Sequence, residues 1–475
     1  MDFDELEELD PVEAVDPCLE ERDYGIIVYG ATGYTGTLIV EHLDGVLSQP
    51  GAKEMKWAIS GRNMSGLRRV ARKCKTTPGI IACREASDIA KMAGQARVVL
   101  AAAGPYCLCG EDVVRECVNQ FTHYVDVTGE TVWINSMIKK YDAKAKERGV
   151  MIVHCSGAIC APDEMLNYTL VQKLGALKQC REYFLQFGGV SGGTFLTNVA
   201  SMETLTPETL ETMKDPFNIG GLRECGRREV DADCSKAEPD PIFPSLWQMP
   251  AYNSATGSRI VRRTCQLFEE RPSEGIVYGK DFSISIRDVQ LTRVAAEQGV
   301  QNTALPASAE MAQAGAMFMK ASCDRGEQPK PGEGPPPATR AMYFSEVFAV
   351  AEGENGEWAH CRYTSGEAYE VTAMASVAAA MVLVEELDRV MPKERGGIVT
   401  PAFAMHGSSW IQRVTGTPFA GREGGSRIAL ELKDGKPEEE TLRAAVKGKS
   451  KSVLAGQSQL MKGALKGWDR PMLTV

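Results

Sequence analysis

The sequence predicts an α/β protein, in which a doubly wound parallel sheet is followed by a second, α+β domain. Three observations predict it. A glycine-rich turn follows the first apolar strand, strand-like and helix-like segments alternate through the first third, and the pattern changes near residue 162.

The first element is the apolar strand Gly25–Tyr29, inside the run Tyr24-Gly-Ile-Ile-Val-Tyr-Gly-Ala-Thr-Gly-Tyr-Thr-Gly36. Thr37–Leu43 follows with helical spacing. In a βα turn of this kind the N–H groups that open the helix are free, and with the positive helix end they hold a diphosphate. Gly30 permits the tight turn, Gly33 lets phosphates approach the main chain, and Gly36 lets helix and strand pack closely. Ala31, Thr32, Tyr34 and Thr35 complete the turn. Residues 30–36 are therefore expected to bind a dinucleotide, which makes this a Rossmann domain.

The second strand, Lys56–Ser60, ends in Gly61-Arg62-Asn63. An NAD site usually places an acidic side chain here, on the ribose 2′-hydroxyl. None follows. Ser60, Arg62, Asn63 and Ser65 stand there instead, and Arg suits forked hydrogen bonds to a 2′-phosphate. NADP(H) is thus favoured over NAD(H).

Arg97–Ala103 is a continuous apolar run of the type buried on both sheet faces. Gly104, Pro105 and Tyr106 close it, and a helix is expected over Glu111–Asn119. The strand His123–Val127, a helix over Val132–Arg148 and the strand Val150–His154 complete the set. A doubly wound sheet holds the reactive ring of its cofactor beyond the carboxyl ends of the central strands. Ala103, Gly104, Pro105 and Tyr106 are therefore expected to line the nicotinamide.

From Pro162 onward, Glu182–Phe187, Ser258–Cys265, Asp281–Asp288 and Met342–Ala351 read as strands of an antiparallel sheet. Met311–Ala321 and the Ala-rich residues 371–388 read as helices, and the Pro-rich stretch Asp324–Arg340 as a loop. Periodicity over 205–257 is too weak to place elements. The expected division is an acidic arm (1–22), the Rossmann domain (23–161), an α+β substrate and dimerisation domain (162–395) and a C-terminal segment (396–475).

The net charge of −10 resides at one end: Met1–Glu21 carries ten acidic side chains and no basic one. That arm lacks the basic and apolar regions of a secretory signal, and its acidity argues against a mitochondrial presequence. Without a basic field, nucleic acid is not an expected partner. The fourteen cysteines are scattered, as reduced thiols of a cytoplasmic protein are. Cys107, Cys109 and Cys117 lack C-x-x-C spacing, and His42, His123, His154, His360 and His406 do not cluster with them, so no metal is expected. The apolar run Val371–Val384 is too short to span a bilayer and reads as a buried helix.

Residues 443–470 hold seven Lys or Arg and one Asp. Val453, Leu454, Leu460, Met461, Ala464, Leu465 and Trp468 share one face of this helix, flanked by Lys451, Lys462 and Lys466. Docking on the protein's own body, or on a partner subunit of a homodimer, is the favoured reading. The alternative is peripheral contact with an anionic membrane or lipid droplet.

Several segments together carry a resemblance. They are Gly30-Ala-Thr-Gly-Tyr-Thr-Gly36, Gly61-Arg62, Gly104-Pro-Tyr106 with Gly110-Glu111 and Cys117, and His123-Tyr-Val-Asp-Val-Thr-Gly-Glu130. Ser191-Gly-Gly-Thr194 and Gly397-Ile-Val-Thr-Pro-Ala402 with Gly407 and Arg413 extend it over residues 23–413. This combination resembles the saccharopine dehydrogenase-like oxidoreductases, a family that includes the bacterial trans-acting enoyl reductases. The resemblance implies reduction with a nicotinamide cofactor and a lipid or acyl substrate; it does not imply saccharopine. One segment departs from it. Relatives carry Gly-Phe-Asp-Ser-(Ile/Val)-Pro-Ser-Asp where this chain has Gly157-Ala-Ile-Cys-Ala-Pro-Asp-Glu164, so Ala158 and Ile159 replace Phe and Asp.

Reduction of an activated C=C or C=O needs a donor for the developing oxyanion and a source of a proton. Tyr106, Tyr124, Asp126, Glu130 and His154 sit at or near strand ends. Tyr106 is the first candidate donor and His154 the candidate acid. The Ser-x-x-x-Tyr-x-x-x-Lys arrangement of short-chain reductases is absent. An NADP(H)-dependent oxidoreductase is the leading expectation. The alternative is a nucleotide-binding pseudoenzyme that serves as a lipid-surface or protein-interaction module.

Overall fold

The computed structural model describes residues 21–222, 229–303, 305–390 and 396–461. Nearly all of the acidic arm (1–20) and the last part of the basic tail (462–475) lie outside the described residues, as do the side chains beyond Val453.

The N-terminal third alternates as expected. It runs β1 (Tyr24–Tyr29), α1 (Tyr34–Leu47), β2 (Trp57–Gly61), α2 (Met64–Ala71), β3 (Gly79–Ala82), α3 (Ala86–Gly94) and β4 (Ala96–Ala101). It continues through α4 (Tyr106–Cys109), α5 (Glu111–Asn119), β5 (His123–Asp126), α6 (Thr131–Glu147) and β6 (Met151–Val153). The strands form one parallel sheet in the order β3-β2-β1-β4-β5-β6, the doubly wound arrangement whose order reverses between β1 and β4. Ile26, Ile27 and Val28 of β1 and Val98, Val99 and Leu100 of β4 have no exposed surface, which is why the middles of these strands are continuously apolar.

The second part contains α7 (Ala161–Leu174), β7 (Leu177–Phe187), α8 (Gly192–Glu203), α9 (Pro207–Lys214), β8 (Glu238–Pro239), β9 (Trp247–Pro250), α10 (Ser254–Glu269) and β10 (Ser283–Gln290). After α11 (Arg293–Thr303), α12 (Ala309–Asp324) and α13 (Pro337–Arg340) come β11 (Phe344–Gly353), β12 (Trp358–Ser365), α14 (Ala368–Glu385) and α15 (Leu387–Val390). The chain closes with β13 (Gly397–Val399), α16 (Pro401–Ala404), α17 (Trp410–Gly416), β14 (Ile428–Asp434) and α18 (Glu439–Met461). The second sheet runs β14-β12-β11-β7-β10-β9-β8.

Three expectations need correction. The second sheet is mixed, because β10 runs parallel to β7 while its other pairs are antiparallel. Ser258–Cys265, read as a strand from its Ile, Val and Thr, lies inside α10. Helical spacing there places Arg259, Arg262 and Arg263 to donate to main-chain oxygens of Met213, Asp215, Pro216, Asp231 and Ile398, and this tertiary demand outweighs local β propensity. Finally, β13 pairs with β6 and adds a seventh strand to the first sheet, although it follows the expected boundary at 395.

The apolar helix α14 is 83% buried and packs on α1, β4 and β5, so its Ala-rich surface is a contact with the body. The described part of α18 docks likewise. Leu442 and Val446 are buried against Tyr183, Leu185, Phe348 and Val350 on the second sheet, worth roughly 1.5–3 kcal/mol apiece. Lys449 Nζ donates to Asp288 Oδ2 at 2.5 Å and secures the same face.

Candidate functional site

The glycine turn has the geometry each position was expected to need. Gly30 is left-handed (φ 84°), and a Cβ there would lie 2.9 Å from atoms of Ala102 and Ala103. A Cβ on Gly36 would collide with the Gly30 carbonyl oxygen. Gly33, by contrast, has open space in front of it: its nearest neighbours would be Gly30 O at 3.4 Å and Ala102 O at 4.0 Å. Gly33 is the N-cap of α1 and contributes no side-chain cap. Gly33 N–H is used by Gly30 O at 3.0 Å, while those of Tyr34, Thr35 and Gly36 find no backbone acceptor among the described residues. Gly30 N–H and Ala31 N–H both donate to Ser60 O, which ties the turn to the end of β2.

Beyond β2 lies a cleft of about 740 Å³ lined by Arg62, Asn63, Met64, Ser65, Arg68, Arg72 and Arg84. The four arginines are exposed, and none forms a salt bridge among the described residues, although the Asp88 carboxylate lies near Arg84 and accepts its main-chain N–H at 2.9 Å. A cluster of cations with so little counter-charge suits a phosphate monoester. Two neighbours serve the structure instead. Asn63 Oδ1 caps α2 by accepting from Gly66 N–H at 3.0 Å, and the buried Ser60 Oγ bonds Cys83 Sγ at 3.2 Å. Arg68, Arg72 and Arg84 escaped the sequence reading, although Arg68 and Arg72 stand one helical turn apart and Arg84 follows β3 just as Arg62 follows β2.

At the other end, Ala103, Gly104 and Pro105 follow β4, and α8 faces them: a Cβ on Gly104 would lie 3.3 Å from Thr197 Oγ1. Tyr106 does not present its hydroxyl here. It donates inward to Ala101 O at 2.9 Å, and burial followed by the charge of Asp126 pushes its pKa well up. Its candidacy as donor fails on that direction. Tyr106 N–H and Cys107 N–H donate to the two oxygens of Glu130 at 2.7 and 2.8 Å, so Glu130 caps α4. His154 is only 1% exposed and bonds Asp126 Oδ2 through Nδ1 at 2.6 Å. Trp133 and Tyr124 lie against its ring, with centroids at 5.0 and 5.9 Å, and Nε2 is buried without a hydrogen-bond partner among the described residues. Asp126 also accepts from Thr128 N–H and Cys155 N–H, which makes the pair a clamp on the loop after β6.

The departing segment 157–164 forms the floor. Ile159 packs against Gly129, where a Cβ would lie 3.3 Å from its Cδ1. Asn253 Nδ2 donates to Ile159 O at 3.4 Å and to Asp163 Oδ2 at 2.9 Å. Behind it, three carboxyl groups with no exposed surface meet: Asp163, Glu164 and Glu182. Burial pushes Asp163 well up and moves Glu164 and Glu182 up to about 7. Thr264 Oγ1 and Ala402 N–H serve Glu164, and Asn167 Nδ2 serves Glu182. Among the described residues no group of three or more His, Cys, Asp and Glu is arranged to hold a metal ion.

Comparison with known proteins agrees with this geometry. Residues 26–153 match the saccharopine dehydrogenase NADP binding domain. The trans-acting enoyl reductase of Mycobacterium leprae (strain TN) is 28% identical over 443 residues, covering 85% of this chain and 97% of that protein. The trans-acting enoyl reductase of Mycobacterium bovis (strain BCG / Pasteur 1173P2) is 28% identical over 426 residues, covering 83% and 96%. Among solved structures, apo saccharopine dehydrogenase (L-Glu forming) from Saccharomyces cerevisiae covers 87% of this chain and 100% of its own, at 12% identity and a TM-score of 0.44. The glycine cradle, the arginine cleft and the family match agree: residues 26–153 form an NADP-binding Rossmann domain of an oxidoreductase, and the chain as a whole is similar to the trans-acting enoyl reductases.

Proposed function

We propose that the protein reduces an activated C=C bond of an acyl or lipid substrate with NADPH. The nicotinamide cofactor, when bound, supplies the hydride. The chain's own residues supply placement. Residues 30–36 hold the diphosphate through the free N–H groups of Tyr34, Thr35 and Gly36. Arg62, helped by Arg68, Arg72 and Arg84, holds the 2′-phosphate. Ala103, Gly104 and Pro105, with Thr197 opposite, line the nicotinamide. The observation that carries the reading is a cleft of four arginines, none of them in a salt bridge among the described residues, beside a glycine turn with free donors.

The acyl class is supported by the names of the relatives. The described cysteines are free thiols, which suits a cytoplasmic setting. NADPH oxidation by the purified protein, measured with enoyl thioesters, ketones and imino acids, tests the reaction; turnover restricted to imino acids would overturn it.

A second reading, a pseudoenzyme that binds NADPH without turnover, is favoured by the inward aim of Tyr106 and His154. In that case NADPH fluorescence still saturates while no member of the panel oxidises it.

A further inference from the structure

The Pro-rich residues 327–336 lie across the phosphate turn. Pro329, Pro331, Pro335 and Pro336 stiffen this stretch, since each fixes its own φ. At one end, Tyr34 is the first residue of α1. Its hydroxyl donates to Pro335 O at 2.6 Å, and its ring lies so close to Gly334 that a Cβ there would approach to 2.6 Å. At the other end, Gly192 N–H donates to Glu333 O at 3.0 Å, and a Cβ on Gly192 would collide with Lys330 O. Glu333 closes its own turn, with Lys330 N–H on its side chain at 3.0 Å and its N–H on Lys330 O at 2.9 Å.

The segment therefore joins the start of α1 to the start of α8. These are the two walls of the groove, because α1 carries the free N–H groups and α8 reaches Gly104 through Thr197. Tyr369 braces both walls: its ring meets that of Tyr34 edge-on at 5.1 Å, and its hydroxyl accepts from Ser191 N–H at 2.6 Å. Gly326 and Gly332 hold left-handed backbone (φ 71° and 84°) with open space around each, so the chain can pivot at both.

We propose that residues 327–336 form a strap that closes over bound dinucleotide, latched by the Tyr34 hydroxyl, which acts as a positioning residue. The proposal rests on the diphosphate lying at residues 30–36. Entry and release then require the Tyr34–Pro335 bond to open, and the closed strap keeps water from the groove between α1 and α8.

The test is NADPH dissociation from the full chain, followed by fluorescence in stopped-flow displacement. Tyr34→Phe keeps the ring and removes the latch, so the dissociation rate is expected to rise about fivefold, the equivalent of one neutral hydrogen bond, with little change in association. Gly334→Ala, at a half-buried position beside the buried Pro335, presses on the same ring and is expected to act in the same direction. Amide exchange at Gly192 and Glu333 should slow when NADPH binds the parent protein, and slow less in Tyr34→Phe. Unchanged dissociation and exchange in both variants, with NADPH still bound, would make the segment a fixed brace and overturn the strap. Full NADPH affinity in Gly33→Val would instead overturn the diphosphate placement, and the strap with it.

Discussion

The two ends of the cofactor groove are built on opposite plans. At the far end, Arg62, Arg68, Arg72 and Arg84 stand exposed in an open cleft, none of them in a salt bridge among the described residues. At the end proposed for the nicotinamide, Tyr106, Glu130 and His154 are engaged by Ala101 O, the N–H groups of α4 and Asp126. The first end can accept charge from a ligand, whereas the second can only shape the space it enters. A polar side chain at a strand end is thus not available to a ligand simply because it is near one; the direction of its bonds decides.

The largest effect that sharpens this contrast lies between the two ends. Gly36→Val drives a branched side chain into Gly30 O, and a loss of about 3–4 kcal/mol is expected, read as a lower Tm and lost NADPH binding. Retained stability would mean that helix and turn have room to separate. Next is the open end. Arg62→Ala with Arg84→Ala should weaken NADPH by roughly a hundredfold while leaving NADH unchanged, as two charge-assisted bonds of about 1.5 kcal/mol each would give. A fluorescence titration that finds both cofactors equally weakened would place the 2′-phosphate elsewhere.

The closed end should respond to pH instead. Asp163, Glu164 and Glu182 have carboxyl pKa values raised by burial, to about 7 for the two glutamates. Their contribution to stability is therefore complete below about pH 4, the unfolded range, and lost as pH rises through 7. Urea unfolding should show the protein about 3 kcal/mol less stable at pH 8 than at pH 6, since each glutamate titrating near 7 loses about 1.4 kcal/mol over that interval, and Glu164→Gln should remove about half of the difference. A stability that rises over this interval would show the three groups already ionised. The smallest effect belongs to Tyr106→Phe. Because that hydroxyl is held inside the fold by Ala101 O and the main chain of Val127, a stability loss of about 1 kcal/mol is expected with kcat within about threefold of the parent. A hundredfold fall in kcat would restore Tyr106 as donor and break the comparison.

Much of this was legible in the chain. Five of the seven strands of the first sheet could be read because each is a short run rich in apolar or β-branched residues, and the turn could be read because Gly30 is left-handed and Gly36 has no room for a side chain against Gly30 O. Arg62 could be read because the strand before it was clear. Arg84 could not, since its strand, Gly79–Ala82, is too short to announce itself. The buried state of Tyr106 and His154 lay beyond reach for another reason. Their partners, Ala101 O and Asp126, are fixed by how β4, β5 and β6 align, and hydropathy carries no trace of that register. Asp163 and Glu182 come together only when α7 settles on β7, and far apart in sequence they look like ordinary surface acids.

The placement of β13 bears on how the molecule is made. Until residues 397–399 leave the ribosome, β6 is the rim of an unfinished sheet, its N–H and C=O groups open to any passing strand. The cofactor-binding half therefore waits, with a sticky border, for nearly all the rest of the polypeptide. A fragment cut after residue 161 would keep its phosphate turn yet is expected to clump, and nascent chains of that length are natural clients for a chaperone.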